Sequence, residues 1–161
     1  MEQAGSKDKV ILMGAGLVGS LLGLLLARRG YEVTIYERRP DMRKSTLGGG
    51  RSINLALSNR GLQALQKAGL SSVIRDMVVP MQGRMMHDEA GELTYQPYGK
   101  EGQVINSVSR GGLNQILVEE AERAGVTIYF EHRCLDVDFS QNTIKLEHCG
   151  QEHSAQADLM V

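Results

Sequence analysis

The sequence predicts an α/β domain with a parallel sheet, and three features of its first 37 residues support this. Residues 9–13 form a short apolar run typical of a buried strand, and residues 17–29 form an apolar segment long enough for a helix. Residues 32–36 read as a second strand, which is followed directly by Glu37. A glycine-rich turn joins the first strand to the helix, so the order is strand, glycine turn, helix, strand, acid.

The glycine turn is the most informative motif of the chain. Gly14, Gly16 and Gly19 have the GxGxxG spacing of a Rossmann-like dinucleotide-binding turn. The first glycine permits the tight turn, the second lets the backbone approach a pyrophosphate, and the third lets helix and strand pack closely. The helix N-terminus offers free N–H groups to phosphates. Glu37 can accept hydrogen bonds from a ribose diol, so we expect a dinucleotide here.

The residues of this region allow two other interpretations. The apolar run 11–27 resembles a signal peptide or membrane anchor, but four glycines interrupt it, two arginines end it, and no small-residue cleavage site follows. NADP bound directly on the turn is the second, because Arg38 and Arg39 could meet a 2′-phosphate. The charge of Glu37 argues against NADP, since it would repel that phosphate.

Composition narrows the class of protein further. The 161 residues suffice for a domain with a real core, and 18 basic against 19 acidic residues give no support for nucleic acid as a partner. The two cysteines, Cys134 and Cys149, make no disulfide framework and are expected as free thiols in a reducing cytoplasm. His148 and His153 lie near Cys149, but three ligands in a polar, hairpin-like stretch do not predict a metal site.

The remaining elements follow from periodicity and from capping residues. Helices are predicted at 59–68, after the cap Ser58, at 71–74, and at 110–124, after the cap Ser109. Strands are predicted at 53–57, 84–87, 92–95, 103–108, 126–130, 134–139 and 143–146. The sum is a parallel sheet carrying an antiparallel hairpin excursion at about 80–106. Residues 157–161 resemble the start of a buried strand, so the chain is expected to be the N-terminal part of a longer protein.

Four further blocks carry a resemblance to a known family. They are RSINLALSNRG at 51–61, PMQGRMMH at 80–87, PYG at 97–99 and SVSRGGLN at 107–114. In this order and spacing, with the glycine turn, they resemble the kynurenine 3-monooxygenases, which are FAD-dependent aromatic hydroxylases. The resemblance covers nearly the whole chain, and it implies that residues 1–161 are the N-terminal part of an FAD-binding domain.

The resemblance also implies an activity. The family uses FAD, NADPH and O2 to convert L-kynurenine to 3-hydroxy-L-kynurenine through a flavin hydroperoxide, in tryptophan catabolism toward quinolinate and NAD. Later Asp-Gly and Gly-Asp motifs of this hydroxylase class are absent from the sequence, so the 161 residues alone are expected to be inactive. Eukaryotic relatives have a C-terminal anchor to the mitochondrial outer membrane. The pattern here is closer to bacterial relatives, and a cytoplasmic location is expected.

Cofactor residues are implied position by position. Gly14, Gly16, Val18 and Gly19 would lie at the FAD pyrophosphate, and Glu37, with Arg38 and Arg39 beside it, would hold the adenosine ribose. Three further contacts complete the predicted FAD site: Arg51 and Ala56 lining the flavin, Arg110 reaching phosphate or ribose oxygens, and Cys134 touching the adenine side through its backbone. A cation such as Arg110 is unusual in a first helical turn, and a nearby phosphate would explain it.

Arg84 and Tyr98 match the positions that hold the substrate carboxylate in the family. A guanidinium offers a planar fork that matches a carboxylate, and a phenol adds one donor. The alternatives are a solvated hairpin arginine and a packing tyrosine. No catalytic side chain and no metal ligand is predicted. A hydroxylase for another aromatic acid and a non-catalytic FAD-binding module remain as alternative functions.

Overall fold

The computed structural model of the chain describes residues 8–44, 54–100 and 102–161. The chain divides into two compact units. Residues 1–50 and 114–161 make up the first, here called the sheet unit, and residues 51–113 make up the second, called the hairpin unit. The elements of the described residues are, in chain order, β1 (Lys9–Met13), α1 (Leu17–Ala27), β2 (Glu32–Glu37), β3 (Asn54–Leu57), α2 (Asn59–Lys67), α3 (Ser71–Arg75), β4 (Val79–Met81), β5 (Gly83–His87), β6 (Leu93–Pro97), β7 (Ile105–Ser109), α4 (Arg110–Arg123), β8 (Thr127–Phe130), β9 (Arg133–Asp138), β10 (Thr143–His148), β11 (Gln151–Gln156) and β12 (Leu159–Met160).

The sheet unit contains the predicted parallel sheet, with strand order β12-β1-β2-β8. Val10 pairs with Val33 and Leu12 with Ile35, and all four side chains are buried. Because both faces of the strands are covered, β1 has no alternation of polar and apolar residues. The helix α1 packs closely on this sheet at Gly23, where an added Cβ would lie 2.9 Å from Ile35 Cδ1.

A three-stranded antiparallel sheet, in the order β11-β10-β9, completes the sheet unit. Ile144 and Leu146 of β10 are fully buried and share a core cluster with Ile11, Tyr36 and Ala157. The hairpin of β9 and β10 confirms the prediction, whereas β11 was missed. Its sequence, QEHSAQ, carries little apolar character, and five of its six residues are exposed.

The predicted strand at 157–161 forms in part, and Ala157 at its start is buried. Only Leu159 and Met160 have strand geometry, and they pair in parallel with Val10 and Ile11 of β1. Leu159 is 52% exposed because β12 is the edge strand of the described sheet. Leu159 and Met160 are therefore less buried than their apolar side chains suggest.

The hairpin unit is built around a small antiparallel sheet, in the order β3-β7-β4, with α2 and α3. Ser58 caps α2 as predicted, since its Oγ accepts the Gly61 N–H at 3.4 Å. Five of its buried apolar residues are Leu65, Ala68, Leu70, Ile74 and Val108. The predicted hairpin forms from β5 and β6, with Gly91 at φ +83 in the turn. All of β6 and four of the five residues of β5 are exposed.

Candidate cofactor site

The candidate site lies at the carboxyl edge of the parallel sheet. Gly14 follows β1 directly, and its N–H donates to the Tyr36 carbonyl at 2.8 Å. Glu37 ends β2, and its carbonyl accepts the His132 N–H at 2.9 Å. Parallel strands end at the same edge, so the glycine turn after β1, the acid of β2 and the segment after β8 come together there.

The glycine turn leaves the start of α1 open. Gly14 has φ +102, and a Cβ on Gly19 would lie 1.9 Å from the Gly14 carbonyl oxygen, so both positions need glycine. A Cβ on Gly16 would meet no atom of the described residues within 4 Å. Gly16 is the N-cap of α1 without any side-chain cap, and Val18 in the first turn is 79% exposed. An uncapped helix start with open space above it is suited to a phosphate.

Glu37 supplies a buried anion beside the turn. Glu37 as a whole is 5% exposed, and its Oε2 accepts the Ala15 N–H at 2.9 Å. Oε1 accepts the Arg39 backbone N–H at 2.9 Å and the Arg39 Nε at 2.8 Å. Burial acts to raise the pKa of Glu37, but the hydrogen bonds and charge of Arg39, with the Ala15 N–H, lower it overall. The group is therefore an acceptor held ionised next to the helix start.

A cleft of about 350 Å³ opens at this edge. It is lined by Met13, Gly14, Tyr36, Glu37, Arg38, Arg39, His132, Arg133 and Cys134. Five predicted residues thus share one cleft, although they come from three separate stretches of the chain. Cys134 packs its side chain against the core cluster of Ile11 and its neighbours, which is compatible with the predicted backbone role.

Sequence reasoning missed one wall of this cleft. The His132 ring stacks on His148, with ring centroids 4.2 Å apart, and lies 5.6 Å from the Tyr36 ring and 5.4 Å from the Tyr129 ring. His132 Nδ1 bonds to the Phe130 carbonyl at 2.7 Å, which fixes the ring. No motif marks His132 or its neighbour Arg133. Their only sequence signal is that they directly precede Cys134.

Two other predicted cofactor residues are exposed in the described structure. Ala56 is exposed on β3, and Arg110 is the exposed first residue of α4; both belong to the hairpin unit. The predicted cap of α4 is confirmed, since the Gly112 N–H donates to Ser109 Oγ at 3.2 Å. Arg51 lies outside the described residues.

Arg84 lies on the β5–β6 hairpin, and Tyr98 directly follows its second strand. Arg84 pairs with Gln96 across the strands, and its Nε donates to Gln96 Oε1 at 2.8 Å. The Tyr98 N–H donates to the Gln82 carbonyl at 3.0 Å, which continues the same ladder. Tyr98 itself lies in a bend one residue beyond β6, where it lines a cleft with Asn59 and Gln103. Both side chains are exposed, so the pair is available to a ligand.

The strand, the glycine turn, the uncapped helix and the buried acid together define a dinucleotide-binding domain. The open Gly16 fits a pyrophosphate and the Glu37 edge fits an adenosine, as FAD requires. Residues 7–161 match the family described as FAD binding domain. The match spans nearly the whole chain, so the chain belongs to this FAD-binding family.

The resemblance to kynurenine 3-monooxygenases is also confirmed. The chain is 55% identical over 140 residues to a protein of that name from Myxococcus xanthus, with 86% of this chain and 30% of the relative covered. It is 47% identical over 136 residues to one from Christiangramia forsetii, with 84% and 30% covered. The chain therefore spans about 30% of the length of the curated relatives that it matches.

A solved structure supports the fold. The chain superposes on a p-nitrophenol 4-monooxygenase from Pseudomonas putida with a TM-score of 0.77 and 20% identity, covering 96% of this chain and 40% of that one.

Within 8–44, 54–100 and 102–161, no helix is long and apolar enough to cross a membrane. Across these same ranges, no three His, Cys, Asp or Glu side chains are grouped to hold a metal ion.

Proposed function

We propose that the full-length protein is an FAD-dependent monooxygenase that uses NADPH and O2 to convert L-kynurenine to 3-hydroxy-L-kynurenine. The similarity to proteins named kynurenine 3-monooxygenase over most of this chain supports the reaction. The observation that supports the substrate assignment is that Arg84 on β5 and Tyr98 just after β6, which match the carboxylate-binding positions of that family, are both exposed. A general FAD-binding module would not need this pair.

The proposed cofactor residues act by binding and orientation. The N–H groups at the start of α1 would receive the pyrophosphate above Gly16, and Glu37 would accept from the ribose hydroxyls. Arg39 already bonds to both oxygens of Glu37, so its guanidinium must move for the ribose to bind there. When bound, FAD supplies the redox chemistry that links NADPH and O2 to hydroxylation of an aromatic ring.

The proposed substrate residues act on the carboxylate end of kynurenine. Arg84 uses Nε toward Gln96, and its remaining guanidinium N–H groups have no protein acceptor among the residues with described positions. A bidentate contact to a carboxylate needs two such donors. The Tyr98 hydroxyl would add a third donor and fix the orientation of the amino-acid end. The aromatic ring to be hydroxylated would then point away from this anchor.

The substrate pathway and location follow from the same proposal. The product belongs to tryptophan catabolism toward quinolinate and NAD. The similar proteins named above come from bacteria, which supports a cytoplasmic location rather than a mitochondrial membrane.

The test uses the full-length protein that contains this chain. Purified protein should show a flavin absorbance spectrum, oxidise NADPH faster when kynurenine is present, and form a product heavier by one oxygen atom. Flavin without stimulated NADPH oxidation would leave only a cofactor-binding module. Stimulation by another aromatic acid but not by kynurenine would transfer the assignment to that substrate. A protein that holds no flavin would refute the proposal altogether.

A further inference from the structure

Asn114 makes an unusual contact with the glycine turn. It lies on α4, is 5% exposed, and donates from Nδ2 to the Ala15 carbonyl oxygen at 3.0 Å. The same nitrogen lies 3.5 Å from Met42 Sδ. Both neighbours can only accept hydrogen bonds, so the orientation of the amide is determined by its chemistry. Asn114 therefore joins α4 to the turn across 99 positions of sequence.

This amide is a costly choice for a core position. Leu117, Val118 and Ala121 of the same helix are buried, and Asn114 lies three, four and seven residues before them on the same face. Its Oδ1 is buried without a partner in the described part of the chain. Such an orphaned acceptor costs roughly 1–3 kcal/mol, whereas a leucine would pack there without a polar atom. The benefit of Asn114 must therefore come from the Ala15 bond.

The Ala15 peptide groups are held from both sides. The Ala15 N–H donates to Glu37 Oε2 at 2.9 Å, and the Ala15 carbonyl accepts from Asn114 at 3.0 Å. Ala15 is itself buried and stands directly before Gly16, the N-cap of α1. The two bonds fix the direction of the chain as it enters the helix. The positions of the free N–H groups above Gly16 depend on that direction.

We propose that Asn114 is a positioning residue for FAD: through the Ala15 carbonyl it holds the glycine turn in the conformation that receives the pyrophosphate. This inference rests on the proposed FAD site. It assigns Asn114 no contact with the cofactor. Loss of its bond should weaken FAD binding because the turn would then have to be ordered by the cofactor itself.

The first test compares Asn114→Leu with wild type in the full-length apo protein. Leucine has nearly the same size, has no donor, and removes the orphaned Oδ1. The Kd for FAD should rise about tenfold, which corresponds to one ordinary hydrogen bond. The Tm of the apo protein should stay within a few degrees of wild type or rise. A purely structural role would instead lower the Tm.

Val118→Ala is the matched control on the same helix. Val118 is buried, and its apolar side chain cannot hydrogen-bond to the turn. Its truncation should lower the Tm through a cavity and leave the Kd for FAD within about twofold of wild type. Opposite behaviour of the two variants separates positioning from stability.

Asn114→Asp tests the donor directly. A protonated aspartic acid can donate to the Ala15 carbonyl, whereas the ionised carboxylate can only repel it. Relative to wild type at each pH, the FAD affinity of Asn114→Asp should approach normal under acidic conditions and fall as the pH rises. If Asn114→Leu fails to fold, the pH dependence of FAD binding by Asn114→Asp tests the positioning role without it.

The outcomes distinguish the two claims. Wild-type protein that holds no FAD refutes the proposed function. Wild-type protein that holds FAD, with Asn114→Leu binding it equally well or Asn114→Asp showing no pH dependence relative to wild type, overturns the positioning role and leaves the proposed function intact.

Discussion

The two units present their predicted site residues in different ways. In the sheet unit, Glu37 is buried, ionised and bonded to Ala15 and Arg39 before any cofactor binds. In the hairpin unit, Arg84 stands exposed on a two-stranded ribbon and Tyr98 directly after it. The glycine turn, the start of α1 and Glu37 all belong to the sheet unit. A guanidinium in water binds a carboxylate weakly, so the hairpin pair needs exclusion of water to act as an anchor.

The largest effect is expected from Gly19→Ala, which attacks the framework of the sheet unit. Its Cβ would lie 1.9 Å from the Gly14 carbonyl oxygen, a backbone atom that cannot move aside. We expect loss of FAD together with a strongly lowered Tm in the full-length protein. Gly23→Ala is the control, since the one atom closer than 3 Å to its Cβ would be Ile35 Cδ1, the end of a flexible side chain, at 2.9 Å. Equal effects of both changes would contradict a special role of the turn.

Gly16→Val should separate binding from folding at the same turn. Within the part of the chain that the structure describes, a Cβ at Gly16 meets no atom within 4 Å, so the apo Tm should change little. The space that it fills is the space assigned to the pyrophosphate, so flavin retention should be lost. Absorbance of the purified protein and a thermal melt of the apo form measure the two effects. A variant that retained stoichiometric FAD would refute the placement of the cofactor.

Arg84→Ala tests the hairpin side of the comparison. If Arg84 pairs with the carboxylate of kynurenine in a water-poor site, its loss should cost roughly 2–5 kcal/mol, or about 30- to several-thousand-fold in affinity. Arg84→Lys keeps the charge but loses the fork and should be intermediate. FAD content should stay normal. Kynurenine affinity is read from the flavin spectrum of the full-length variants.

Lys67→Ala removes a cation from the same unit, at the end of α2, and should leave kynurenine affinity unchanged. Wild-type kynurenine affinity in Arg84→Ala would show that Arg84 is a solvated hairpin arginine without a role in substrate binding.

Tyr98→Phe should have a smaller effect than Arg84→Ala, because it removes one hydrogen bond to a charged group, worth about 1.5–3 kcal/mol. A larger loss than that of Arg84→Ala would reverse the assigned roles.

Local sequence signals predicted most of the helices and strands. The glycine spacing identified β1, α1 and β2, and the serine caps identified the starts of α2 and α4. The strand β4 was missed because it is three residues long and contains Pro80, which sequence rules exclude from a strand interior.

Contacts between distant segments could not be predicted in the same way. The bond of Asn114 to Ala15 and the wall formed by His132 depend on tertiary packing, which leaves no periodic trace. One signal was available: an asparagine interrupts the apolar face of α4 four residues before Val118. A polar residue in an apolar stripe indicates a specific partner, although the sequence alone does not name it.

The smallest expected effect concerns the loop that carries Arg38 and Arg39. Asp41, which is buried, accepts from Arg43 Nε at 2.8 Å and Nη2 at 2.7 Å, and Arg43 Nη2 also donates to Glu122 Oε1 at 3.0 Å. The hydrogen bonds from Arg43 lower the pKa of Asp41 in the folded protein. A carboxyl group with a lowered folded pKa stabilises the fold above its unfolded pKa of about 3.9, and this stabilisation disappears as the pH falls through the folded value.

Asp41→Asn should therefore lower stability at neutral pH by roughly 1–2 kcal/mol, because the amide oxygen still accepts a hydrogen bond from Arg43 while the charge and a second bond are lost. The difference in Tm between this variant and wild type should shrink on acidification below about pH 4, because wild-type Asp41 is then progressively protonated. Asp76→Asn, at an exposed aspartate of the hairpin unit, is the control for a general loss of negative charge. A Tm difference that stays constant down to strong acid would show that Asp41 stabilises the loop through shape rather than through its charge. The charge of Asp41 would then contribute nothing to holding the loop that carries Arg38 and Arg39.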